Sequence, residues 1–157
     1  TTQHCDHLLN IMRMARAELD AVVAGYDGNL DAVASDNPDW RIQDVLFHLA
    51  LWERMAARKI AGTPLPDGED LAEREPWDID AFNDAMQARW HDRSAADVLA
   101  ELAAAHSALV AAVESADDDA CAPGGNAWNA IAEDSAGHYP GHLPVTNLFP
   151  DYQFPDE

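Results

Sequence analysis

Two histidines, His138 and His142, lie four residues apart near the C-terminal end of the sequence. Residues four apart on an α-helix project from the same face, so we expect the two imidazoles to lie side by side. Ile131 and Ser135 precede them at the spacing of a buried helical seam, which predicts that the imidazoles face the protein interior. A buried imidazole needs a partner, and a divalent metal ion would be one if a third ligand came from another helix. We expect His48 to be that ligand.

Three histidines from two helices would leave one coordination position open, as catalytic metal sites do. We expect zinc, with nickel or iron as alternatives, because imidazole ligands suit all three. Asp134 lies one turn before His138, and Asp44 lies one turn before His48. Each carboxylate could orient its neighbouring imidazole or complete the coordination. Taken alone, the spacing also fits buried histidines that other groups satisfy, so both interpretations stay open.

Other polar residues near this pattern have competing interpretations. Tyr139 lies between the two histidines and could donate a proton to a substrate. The simpler interpretation, which we favour, is an aromatic ring at the edge of the bundle with its hydroxyl in water. Glu53 lies off the face of His48, and we expect it to be solvated or to cap a helix. His106 falls on the apolar stripe of its helix, and we expect a satisfied core histidine rather than a ligand.

Hydrophobic periodicity predicts four long amphipathic helices, over residues 3–24, 41–61, 95–115 and 127–143, and a short helix over residues 79–90. Asp39 is expected to cap the second long helix. Pro140 predicts a kink in the last one, because proline removes a backbone amide. The predicted fold class is therefore all-α, a four-helix bundle that forms one domain over residues 1–157. A long crossover at residues 62–77 separates the second and third helices, and an extended tail ends the chain.

The composition argues against some partners. The chain carries 29 acidic and 9 basic side chains, and its formal net charge of −20 repels phosphate backbones and anionic membranes. We therefore expect no nucleic-acid partner. We also expect no membrane partner, because no apolar run approaches the roughly 18 residues of a bilayer span. Cys5 and Cys121 are the only cysteines. We predict two unpaired thiols in a reducing cytoplasm, with a disulfide between them as the alternative.

A longer motif spans residues 40–53 and reads WRIQDVLFHLALWE. It resembles the second-helix signature of the DinB-like (damage-inducible) four-helix-bundle superfamily. The motifs WDIDAFN at residues 77–83, SAADVLAEL at residues 94–102 and HYPGHLP at residues 138–144 are similar to its DfsB/ClbS-type branch. The resemblance implies an up-down-down-up bundle. It also implies a divalent metal held by one histidine of the second helix and two of the fourth, which here are His48, His138 and His142.

The resemblance implies relatives that are thiol-dependent transferases or isomerases, or hydrolases. Our first hypothesis is therefore a metal-dependent enzyme that acts on a small molecule. A low-molecular-weight thiol cofactor is implied only by the resemblance. The alternative is a non-catalytic bundle that binds or sequesters a small molecule around an empty or vestigial metal site. A homodimer is compatible with both, and a bundle whose main role is dimerisation is a third hypothesis. Whether the protein is an enzyme is left open by the sequence.

Overall fold

The computed structural model describes residues 2–34, 37–62 and 78–154. The helices are α1 (Gln3–Gly25), α2 (Ile42–Ala61), α3 (Ile79–Trp90), α4 (Ala95–Glu114), α5 (Asp118–Cys121) and α6 (Asn126–Asp134), followed by a 3-10 turn (Tyr139–Gly141). Within the described ranges there is no strand, only an isolated β-bridge. The predicted all-α class is confirmed. The predicted crossover lies outside the described residues from residue 63 onwards. Trp77, the first residue of the motif at residues 77–83, lies outside them as well.

Helix α2 lies at the centre of the hydrophobic core and packs mainly on α4 and next on α6. Its buried apolar residues point in several directions around the helix rather than along one stripe; they include Val45, Leu46, Leu49, Ala50, Met55 and Ala56. A helix that is apolar on most of its circumference is one that neighbours surround. Side chains of any type on this helix, including His48, are therefore carried into the interior.

The last predicted helix differs most from the structure. It was expected over residues 127–143, but α6 ends at Asp134 and the backbone of Ser135 leaves the helical region at φ −131° and ψ −111°. Pro140 has no amide with which to continue an α-helix. The prediction of one kinked helix is therefore wrong. His138 and His142 lie on the segment that follows α6, residues 135–142, which we call the histidine loop.

Cys5 and Cys121 form a disulfide bond, with their Cα atoms 4.9 Å apart. The prediction of two unpaired thiols is wrong, because the short helix α5 brings Cys121 against the first turn of α1. In the same helix, the carboxylate of Asp118 accepts hydrogen bonds from the amides of His4 and Cys5 at 2.9 and 3.1 Å. These are two of the amides that a helix leaves without an internal partner. A distant segment therefore holds the start of α1 by a covalent bond and by a cap.

Helix α4 is long and apolar enough to cross a membrane, judged by length and composition alone. Our expectation that no segment would reach that length is wrong for α4, whose many alanines raise its mean hydropathy. Val98, Leu102 and Leu109 of this helix are buried inside the protein. A core helix of a bundle meets the same criterion of length and composition.

The tail after Pro144 is non-helical as far as residue 154, and it packs against the bundle. Phe149 is buried, and its ring lies edge-on to Trp128 of α6 with the ring centroids 5.0 Å apart. Thr146 donates two hydrogen bonds to the Glu18 carboxylate of α1, from its amide at 3.0 Å and its hydroxyl at 2.8 Å. The tail therefore joins α1 to α6 beside the histidine loop.

Candidate metal centre

The structure brings His48, His138 and His142 together. The ring centroid of His48 lies 5.1 Å from that of His138 and 4.9 Å from that of His142, and the latter two centroids are 4.7 Å apart. Each histidine offers one ring nitrogen within 4.8 Å of the nitrogens offered by the other two. We call these three residues the histidine cluster. Among the described residues it is the group of histidine, cysteine and carboxylate side chains that could hold a metal ion.

The donor atoms of the cluster fit a divalent ion. The Nε2 atoms of His138 and His142 are 3.0 Å apart. Two nitrogens that bind one tetrahedral zinc ion at about 2.0–2.1 Å lie about 3.3–3.4 Å apart. The 3.0 Å pair is already close to that separation, and the widest pair, at most 4.8 Å apart, would have to close by about 1.4 Å at most on binding an ion.

The histidine loop brings His138 and His142 together through a turn and not along one helical face. The amide of Gly137 donates to the carbonyl of Ile131 at 3.2 Å and closes the end of α6. A Cβ atom on Gly137 would lie 1.9 Å from the carbonyl oxygen of Ala132, so this close approach requires glycine. The following 3-10 turn then returns the chain so that the ring of His142 meets that of His138.

Asp44, which we expected to orient His48, binds Arg41 instead. Its carboxylate accepts from the Arg41 amide at 2.9 Å, from Nε at 3.0 Å and from Nη2 at 2.9 Å. Burial alone would raise the pKa of Asp44, but these hydrogen bonds from Arg41 hold it below its ordinary value. Asp44 therefore caps the start of α2, and the prediction of Asp39 as the cap is wrong. The cap fixes the end of the helix from which His48 projects.

Asp134, which we expected to orient His138, forms an ion pair with Lys59 at 2.7 Å. Burial raises the pKa of Asp134 to about 6, although Lys59 acts in the opposite direction. The Lys59 ammonium also lies 5.7 Å from the ring centroid of Trp52, and that ring is 6.3 Å from the ring of His48. The ion pair therefore borders the tryptophan that packs beside the cluster.

Two imidazoles of the cluster, those of His48 and His138, are held in the neutral form. Burial, to which the neighbouring imidazoles add, lowers the pKa of His48 to about 2. Burial and the nearby His142 likewise lower the pKa of His138 to about 3. Neutral imidazole is the form that binds metal ions. Trp40 lies 5.4 Å from the ring of His48 and adds an apolar wall to that of Trp52. His48 and His138 thus offer uncharged donors to an ion.

Tyr139 is buried, and the expectation of a hydroxyl in water is wrong. The hydroxyl donates to the carboxylate of Glu53 at 2.5 Å. Burial, followed by the charge of Glu53, raises the pKa of Tyr139 above its ordinary value, so the hydroxyl stays protonated. Because Glu53 holds this proton, we propose for Tyr139 a role other than proton donation to a substrate.

Glu53 is completely buried, although we expected it to be solvated or to cap a helix. Besides Tyr139, its carboxylate meets Nδ1 of His106 from α4 at 2.9 Å and the guanidinium of Arg16 from α1 at 3.3 Å. His106 is therefore a satisfied histidine outside the cluster. The signal that could have revealed the burial of Glu53 is its position in the sequence WRIQDVLFHLALWE. There the acid follows an apolar run that covers all sides of the helix, so no side of the helix is left for solvent.

A family model described as the mycothiol maleylpyruvate isomerase N-terminal domain matches residues 12–140. The matched segment contains His48 and His138 and ends two residues before His142. This family is part of the DinB-like superfamily, so the resemblance found in the sequence motifs is confirmed at that level. Searches of curated proteins and of solved structures gave no match to the chain.

Proposed function

The chain belongs to the mycothiol maleylpyruvate isomerase N-terminal domain family of the DinB-like superfamily, and from that premise we propose that it is a divalent-metal-dependent enzyme acting on a small molecule. His48, His138 and His142 would hold the ion, with zinc as the first candidate and nickel or iron as alternatives. The observation that carries the proposal is the convergence of three imidazoles from α2 and the histidine loop.

We propose further that the reaction depends on a low-molecular-weight thiol. The family is described by an enzyme of mycothiol, which is such a thiol, and mycothiol is therefore the first candidate. A bound divalent ion lowers the pKa of a thiol, so that the reactive thiolate is present at neutral pH. Three neutral imidazoles leave the charge of the ion uncompensated, which favours an anionic ligand in the open position.

The side chains around the cluster would bind and shield the reactants. Trp40 and Trp52 would exclude water beside His48. A thiol-dependent transferase or isomerase fits this arrangement. A hydrolase is the other proposed reaction type, and a requirement for added thiol separates the two.

Metal analysis of the purified protein tests the proposal. We expect about one zinc ion per chain in the wild type after loading, and loss of that ion in His48→Ala, His138→Ala and His142→Ala. His91→Ala is the matched control, because His91 is exposed and lies outside the cluster. The proposal fails if the loaded wild type holds no stoichiometric metal and the four variants behave alike. The surviving hypothesis would then be the non-catalytic bundle with an empty site.

The remaining predictions about partners come from the sequence and stay predictions. They are a small-molecule substrate, the absence of nucleic-acid and membrane partners, and a homodimer. The cytoplasmic setting is proposed on the same basis. Disulfides are rare in the cytosol, so the Cys5–Cys121 disulfide offers a check of the cytoplasmic setting. The measurement is the oxidation state of these two cysteines in cells.

A further inference from the structure

We infer that Tyr139 and Glu53 form a positioning pair, which holds His138 and His142 of the histidine loop opposite His48 of α2. The pair touches no metal or substrate and acts through the three histidines. The inference rests on the proposed function for its use of a metal ion, and it assigns to both residues a role other than proton donation or solvation.

Tyr139 is the anchor of the histidine loop. Its amide donates to the Ser135 carbonyl at 3.1 Å, and its carbonyl accepts from the amides of His142 at 3.0 Å and Leu143 at 2.9 Å. The side chain is only 1 % exposed. The backbone of Tyr139 therefore connects the end of α6 to His142, and its ring fixes where that backbone lies relative to the core.

Glu53 lies where its carboxylate accepts the hydrogen bond from the Tyr139 hydroxyl. It lies five residues after His48 on the same helix, so one rigid element carries both a cluster histidine and the acceptor for the Tyr139 hydroxyl. The hydrogen bond thus links the two elements from which the cluster is built. A loop that contains only one short 3-10 turn needs such a link to hold ligands at a fixed distance from a helix.

Glu53 is itself held from two further helices. Nδ1 of His106 in α4 and the guanidinium of Arg16 in α1 meet its two carboxylate oxygens, and Arg16 also bonds the carbonyl of Leu102 at 3.3 Å. A buried carboxylate with several partners is seldom the most stable way to fill a core, because desolvation offsets much of the attraction. Its benefit is a unique geometry, which is what a set of metal ligands requires.

The test compares two tyrosines. Tyr139→Phe removes only the hydroxyl that donates to Glu53, and Tyr152→Phe is the matched control because the Tyr152 hydroxyl also donates to a glutamate, Glu133. Zinc affinity is measured by competition with a chromogenic chelator, and the ligand field by the absorption spectrum of the cobalt-loaded protein. We expect Tyr139→Phe to weaken zinc binding by about 10- to 100-fold and to alter the cobalt spectrum. Tyr152→Phe should match the wild type in both.

A double-variant comparison tests the pairing itself. Glu53→Leu removes the acceptor of the Tyr139 hydroxyl, and adding Tyr139→Phe to it should weaken zinc binding no further than Glu53→Leu alone, because the hydrogen bond is already lost. Fully additive losses would show that the two residues act separately and would overturn the inference. Circular dichroism of each variant verifies that the helices remain.

Failure of this inference can be told apart from failure of the proposed function. If the wild type binds zinc and Tyr139→Phe has the same affinity and cobalt spectrum, the inference is overturned and the proposed function stands. If the wild type binds no zinc, the proposed function fails and NMR of the metal-free protein decides. We then expect Overhauser contacts between the ring of His48 and those of His138 and His142, whose centroids lie 4.9–5.1 Å away. Their loss in Tyr139→Phe supports the inference, and their persistence overturns it.

Discussion

Removing the Cys5–Cys121 disulfide is expected to lower the free energy of unfolding by about 4–5 kcal/mol. The two cysteines are separated by 116 residues. The loss of chain entropy that a cross-link of that span imposes on the unfolded state corresponds to about 4.8 kcal/mol at 25 °C. Both side chains are buried, so the variant Cys5→Ala/Cys121→Ala keeps small apolar groups in their places. At about 2–4 °C per kcal/mol for a domain of this size, Tm should fall by roughly 10–20 °C.

Unfolding by guanidinium, followed by tryptophan fluorescence, measures this loss. The oxidised wild type is compared with the double alanine variant, and both are repeated with a reducing agent. The reducing agent should lower the unfolding midpoint of the wild type and leave the variant unchanged, which controls for effects of the reagent itself. Two free thiols in the denatured, unreduced wild type would refute the cross-link. Equal unfolding free energies for the two proteins would refute the loop-entropy argument.

Three further predictions concern the helix start, the loop and the cluster. Asp118→Ala should lower the unfolding free energy by about 1 kcal/mol, measured by the same denaturation, because the amides at the start of α1 lose their cap. Gly137→Ala should weaken zinc binding and lower Tm, since a Cβ atom has no room there, whereas Gly141→Ala, with nothing within 4 Å, should match the wild type in calorimetry and chelator competition. The metal-free protein should lose stability as the pH falls from 6.5 towards 3, because the unfolded chain then binds protons on His48 and His138 that the folded chain excludes. The two groups contribute up to about 2.7 kcal/mol per pH unit, and the raised pKa of Asp134 offsets up to about 1.4 kcal/mol per pH unit of this below pH 6. His138→Asn should lower the slope by about 1.4 kcal/mol per pH unit in denaturation curves recorded across the range, and an unchanged slope contradicts the prediction.

The helices that local signals define could be predicted closely. The predicted ranges 3–24 and 95–115 differ by one residue from α1 and α4, and the range 79–90 coincides with α3. Hydrophobic spacing marks the buried face of each, and at α4 the Ser94 hydroxyl accepts from the Asp97 amide at 3.1 Å, a cap for which serine with an acid three residues later is a typical signal. The predicted helix over residues 127–143 was too long because the stop at Ser135 and Gly137 was not recognised. We expected Pro140 to bend the helix, and it lies instead in a separate turn beyond that stop.

The parts of the site that could not be predicted depend on which segments meet. We expected Glu53 in solvent or at a helix cap because a helix with one buried face would leave it outside, whereas α2 is surrounded by neighbours at that level. The disulfide was missed because no local pattern gives the distance between Cys5 and Cys121. The histidines were visible as residue types, but the route by which His142 returns to His138 was not. Packing between distant segments, and not propensity, decides all three.

The distribution of buried charge explains why the histidine cluster is the place where a cation could enter this acidic bundle. The buried carboxylate of Asp44 is bound by Arg41, and that of Asp134 by Lys59, so neither is free to complete a coordination sphere. By contrast, the cluster holds three imidazoles, and burial keeps those of His48 and His138 neutral. An ion there would keep its full double charge, because no carboxylate of the described residues belongs to the cluster, and its open position would take a ligand from outside the protein. Such a site would favour an anionic reactant, and the thiolate that we propose is one.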